Sequence, residues 1–133
     1  MTWITWGEKQ ASGHAGMDRA HRKLVDLINQ LAEGMENNKP KAFCNKTLDQ
    51  FIEHAGTHFF IEEQLMDRHR YPKAKEHKAL HAKLTKDVLA FKALYDAGGT
   101  ADFIILYVIL ESWLARDMGE ADKELADFIA TAG

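Results

Sequence analysis

Apolar residues recur three and four apart along most of this chain, the spacing of helices that bury one face. The first such row is His21, Leu24, Val25, Ile28, Leu31 and Met35, with Asp18 placed to cap its start and Gly34 and Asn37-Asn38 loosening its end. The second begins near Pro40, a residue tolerated in a first turn, and carries Thr47, Phe51, Ala55, His58, Glu62, Leu65 and Met66. Gly56 within it weakens the helix and allows close packing opposite. The third opens after Pro72 with Ala74, His77, His81, Leu84, Val88, Phe91 and Tyr95, and Gly98-Gly99 ends it. The fourth runs from about Ala101 through Phe103, Leu106, Leu110, Trp113 and Asp117. Gly119 bends or stops that row, and Asp122 to Ala130 forms a short last turn or helix.

Four rows of about 20 residues with short connections predict an all-α fold, an up-down-up-down antiparallel four-helix bundle. Residues 1–17, with Trp3, Ile4, Trp6 and a glycine-containing stretch through Gly13 and Gly16, read as an N-terminal arm covering the bundle. Residues 120–133 form a short C-terminal segment, and residues 1–133 a single domain without tandem repeats.

Composition narrows the chemistry more than the fold. A net charge of −3 gives no electrostatic case for nucleic acid or an anionic membrane. The most apolar run, Phe103 to Leu110, is too short to span a bilayer, and no basic-then-apolar leader opens the chain. The expected location is the cytoplasm. Cys44 is the only cysteine, which removes internal disulfides and thiolate clusters and leaves an inert lone thiol. Seven histidines then point any metal chemistry to imidazole and carboxylate ligands, hence iron, zinc, manganese or copper.

Those histidines are not scattered. Random placement would give roughly 0.4 His-x-x-x-His pairs, and the chain has two, His54/His58 and His77/His81. His58 and Glu62 stack one turn apart, as do His77 and His81, and all four lie in apolar rows. An unpaired carboxylate such as Glu62 is very costly in an apolar row, so it needs a metal or a salt bridge. His21 heads the first row, and Asp117 ends the fourth with Asp122 just beyond. Donors from every helix are more than one mononuclear site needs, and they suit two metals bridged by carboxylates.

At this point the chain resembles the hemerythrin family, in its single-domain bacterial form. The matching pieces are Trp6 with Gly13 and Asp18-Arg19-Ala20-His21; Leu27-Ile28-Asn29-Gln30-Leu31; His58-Phe59 with Glu62-Glu63 and Met66; Tyr71-Pro72; His77 with His81; and Trp113-Leu114 with Asp122. The resemblance implies a non-haem di-iron centre with an oxo or hydroxo bridge. Glu62 and Asp122 would be the bridging carboxylates. His21 and His58 would hold the iron with an open position, where O2 or small anions bind, and His77 and His81 would hold the other. Trp113, Leu114 and Phe59 would wall the O2 pocket. The family's second iron has a third histidine five residues before the bridging Asp, and here that residue is Asp117. If it ligates, directly or through water, its charge favours the ferric state; otherwise it is an exposed helix-end acid. His54 is read as a hydrogen-bonding group behind His58, a replacement ligand or plain core packing, and His14 and His69 as solvated.

The resemblance thus implies an O2-binding protein for storage, delivery or sensing, monomeric or weakly self-associating, without an organic substrate. The alternative is a di-iron redox enzyme or peroxide scavenger with fast autoxidation owing to Asp117. A third is an interaction module poor in metal. Two rivals lack their motifs: ferritin-like oxidases need Glu-x-x-His from two helices, and zincins need His-Glu-x-x-His.

Overall fold

The structure is a computed structural model that describes residues 11–98, 103–113 and 120–132. Among these residues it is all-α, with five helices and no strand. α1 spans Ala15–Glu36, α2 Lys41–Arg68, α3 Ala74–Asp96, α4 Phe103–Ser112 and α5 Asp122–Ala132. Trp3, Ile4, Trp6, Gly99, Ala101, Leu114, Asp117 and Gly119 lie outside the described residues.

The start of α1 differs from the expectation. The N-cap is His14, whose Nδ1 accepts from the Met17 amide at 3.2 Å. Asp18 sits inside the first turn and reaches back: its carboxylate accepts from the Ser12 amide and hydroxyl, both at 2.8 Å, and from the Gly13 amide at 3.3 Å. An acid in the first turn can serve pre-helical amides as well as helical ones, so the helix starts ahead of it. Gly13, at φ +90, makes the hook possible. His14 is therefore tied into structure and not simply solvated.

Pro40 stands immediately before α2, as its rigid φ suits a helix entrance. α2 runs for 28 residues, longer than expected, and ends where Arg70 takes φ 53 and the Tyr71 amide returns to the Met66 carbonyl at 2.9 Å. α1 packs on α2, α2 on α3 and α3 on α4. The close approach is at Gly34, where an added Cβ would stand 2.9 Å from the Phe43 ring. Gly56 makes no such approach: among the described residues nothing lies within 4 Å of an added Cβ, so the expected tight packing is not found there. Cys44 is fully buried in the core, beyond reach of another chain's thiol.

Two apolar clusters stabilise the bundle. The larger gathers Leu24, Ile28, Leu48, Phe51, Leu84, Leu106 and Trp113 with their neighbours; the smaller comprises Met17, Met66, Tyr71, Leu125 and Ala126. The polar residues of the rows fall between them. On α1, His21 lies between Met17 of the small cluster and Leu24 of the large; on α2, Glu62 lies between Phe59 and Met66. A polar layer is thus enclosed by hydrocarbon on both sides.

Candidate metal centre

Six side chains meet in that layer, and all are almost completely buried: His21, His58, Glu62, His77, His81 and Asp122. α1 supplies one, α2 two at i and i+4, α3 two at i and i+4, and α5 one at its first residue. Asp122 arrives there because Leu125 and Ala126, on the next turn, anchor α5 in the small cluster.

The carboxylates divide their oxygens between two pairs of imidazoles. Glu62 Oε2 is 2.8 Å from His58 Nε2 and 3.8 Å from His21 Nε2, while Asp122 Oδ2 is 2.8 Å from His21 Nε2. On the other side, Glu62 Oε1 is 2.9 Å from His81 Nε2 and 3.4 Å from His77 Nε2, and Asp122 Oδ1 is 2.7 Å from His77 Nε2. Two four-donor groups result, His21/His58/Glu62/Asp122 and Glu62/His77/His81/Asp122, the ligand atoms of each lying within 4.8 Å of one another.

Closeness here is not hydrogen bonding throughout. Although His77 Nε2 and Asp122 Oδ1 are 2.7 Å apart, neither has a hydrogen-bond partner among the described residues. The same holds for His81 Nε2 and Glu62 Oε1 at 2.9 Å. A buried polar atom without a partner is destabilising. Polar atoms brought this close without pairing need a shared partner, and a cation held between them would be one. Imidazole nitrogens and carboxylate oxygens are donors that suit iron, manganese or zinc, so the residues fit a metal pair.

Electrostatics agree. Burial raises the Glu62 carboxyl, but His21, His58, His77 and His81 outweigh it and hold it well below its ordinary value. Burial depresses the His21 and His77 imidazoliums, but the Asp122 and Glu62 carboxylates outweigh it and lift each to about 9. The layer therefore attracts positive charge strongly, as protons or as metal.

Around the donors, Trp113 meets the His21 ring edge-on at 6.4 Å, backed by Phe51. Phe59 lies flat on His81, centroids 4.0 Å apart, and only tilted beside His58 at 6.0 Å. It thus touches one imidazole of each half. His54 does not reach the cluster and is exposed on α2. It lies one turn from His58, but at 100° per residue it falls roughly 80° from the centre of the buried stripe. The core packing read for it is thus absent, and it is not among the six side chains that meet in the layer. Leu114 and Asp117 lie outside the described residues. One contact was missed in the sequence: Glu63, on the side of α2 facing α3, meets His81 Nδ1 at 3.0 Å.

Comparison with known proteins gives the family of the chain. The chain is similar to the bacteriohemerythrin of Stenotrophomonas maltophilia, 25% identical over 127 residues, which cover 96% of this chain and 82% of that one. With the bacteriohemerythrin of Clostridium acetobutylicum the identity is 27% over 130 residues, covering 93% and 99%. A crystal structure of wild-type hemerythrin superimposes with a TM-score of 0.86 at 22% identity, covering 96% of this chain and 98% of that one, a likeness of fold. The family model of the hemerythrin HHE cation binding domain matches residues 12–129, and the chain belongs to the hemerythrin family.

Proposed function

We propose that this protein is a non-haem di-iron O2-binding protein, with Glu62 and Asp122 bridging two irons, His21 and His58 on one, and His77 and His81 on the other. The observation that carries the reading is the division of each carboxylate's oxygens between the two imidazole pairs. A single metal would leave one pair of imidazoles and one oxygen of each acid without an ion. When bound, the iron pair supplies the electrons that capture O2.

The chain's own residues hold, shield and select. O2 would bind on the His21/His58 side, where Trp113, backed by Phe51, turns an apolar ring edge-on to His21 and would keep water away. On the other side Phe59 covers His81. The up-down-up-down arrangement belongs to the same proposal. Its support is the order in which helices pass the two apolar clusters: small to large along α1, large to small along α2, and small to large along α3.

The test is iron content together with the visible spectrum under cycles of O2 and vacuum. Two irons per chain and a reversible change in absorption are expected. Content well below two, or no reversible change, would remove the reading. Asp117, where the family's pattern has a histidine, favours a second one: a redox enzyme or peroxide scavenger. Peroxide turnover by wild type that Asp117→His abolishes would support it, and negligible turnover by both would eliminate it.

A further inference from the structure

We propose that Glu63 is the positioning residue of this centre, fixing the tautomer and ring orientation of His81 and so retaining the metal on the His77/His81 side. The inference rests on the metal reading above and adds a residue to it. Glu63 Oε2 stands 3.0 Å from His81 Nδ1, with the imidazole 3% exposed and the carboxylate 34%. With the Glu63 oxygen as acceptor, Nδ1 is the nitrogen that carries the proton and donates it. Nε2 is then left with its lone pair turned into the centre, beside Glu62 Oε1 at 2.9 Å.

Consecutive residues of α2 thus address the two nitrogens of one ring, Glu62 at Nε2 and Glu63 at Nδ1. Phe59, one turn earlier, lies parallel to the same ring at 4.0 Å, with an interplanar angle of 8°. Its edge and its face are both set before any ion arrives. His77 is held differently: its Nδ1 is buried without a hydrogen-bond partner among the described residues. A carboxylate behind a ligating imidazole also strengthens the ring as a donor, and removing one typically lowers metal affinity about 10–100-fold. Because Glu63 meets one ligand of one group, its effect falls on one metal of the pair.

The experiment compares wild type, Glu63→Ala, Glu63→Gln and Asp67→Ala. Asp67 is an exposed acid one turn along α2, paired with Lys78, and serves as the control. Each protein is loaded anaerobically with Fe(II) and mixed with excess ferrous chelator. Folding is followed by circular dichroism, and the His81 tautomer by 15N NMR of the Zn(II)-loaded form. Glu63→Ala should stay folded and release one iron per chain about 10–100-fold faster than wild type, the other lagging behind it. Glu63→Gln, which keeps an acceptor without the charge, should release at an intermediate rate with the Nδ1–H tautomer retained. Asp67→Ala should match wild type. Release from Glu63→Ala at the wild-type rate, equal acceleration of both irons, or a wild-type His81 protonated on Nε2 would overturn the proposal. A wild-type protein that never retains two irons would instead overturn the metal reading, an outcome visible before any variant is made.

Discussion

Glu62, like Asp122, stands where the two halves of the centre join, because its oxygens serve different imidazole pairs. Removing it should therefore differ in kind from removing a histidine. Glu62→Ala takes one ligand from both groups and should abolish retention of both irons through desalting. His58→Ala takes one ligand from one group and should leave about half the metal, a loss confined to one position. Iron assay of the desalted variants checks both, and equal losses would contradict a bridging role. Which residues gather in the polar layer was legible in the sequence wherever they repeat on one stripe, as His58 with Glu62 and His77 with His81 do. Asp122 could be assigned only from the family resemblance, since an acid opening a helix reads equally well as a cap. Glu63 was illegible: it lies about 100° around α2 from Glu62, and only the packing of α2 on α3 brings it to His81. His54 misled for the converse reason, since a spacing of four keeps residues on one face only while that face is wide enough.

At the scale of elements, α2 and α5 carry opposite lessons. Gly56 interrupts α2 at an exposed position where an added Cβ meets nothing within 4 Å among the described residues. Gly56→Ala should then stabilise the protein by up to about 1 kcal/mol, the helix-propensity difference, measured as a higher urea midpoint at unchanged slope. Destabilisation would mean the groove between α2 and α3 needs that space. α5 is short, 11 residues, and presents Asp122 from its first position. Its hold on the bundle comes from Leu125, fully buried against the small cluster, more than from the exposed Lys73–Glu124 pair. Leu125→Ala should destabilise by about 2–5 kcal/mol and weaken iron binding as well, because Asp122 stands one turn away. Lys73→Ala should do neither. Thermal melts and iron content of the two variants test this. The helices themselves were legible from their stripes, and Pro40, Pro72 and Gly98 marked their ends. The start of α1 was not, because Asp18 serves as a backward hook, and a cap and a hook use the same residue type.

For the molecule as a whole, the polar layer raises the question of how the chain folds before metal reaches it. Two carboxylates between apolar clusters would be prohibitive if left alone. His21 and His77, lifted from 6.5 to about 9, answer it, since protons on these rings balance the acids in the metal-free protein. A base bound to its proton more tightly in the folded chain than in the unfolded one favours folding fully below the unfolded value of 6.5, and that contribution disappears as pH climbs to about 9. Glu62 runs the opposite way. Held well below 4.5 despite its burial, it contributes above that value and loses its contribution as the solution becomes acidic. Metal-free protein should therefore be most stable between 4.5 and 6.5 and melt progressively lower from 6.5 to about 9. Iron held by these rings, as proposed, would take the place of their protons and favour the folded state, so the metal-loaded protein should lose far less over the same interval. The gap between the two melting temperatures then widens with pH. Calorimetry of stripped and loaded protein across that range measures it. A metal-free melting temperature that stays level from 6.5 to 9 would show that protons on His21 and His77 do not stand in for the ions.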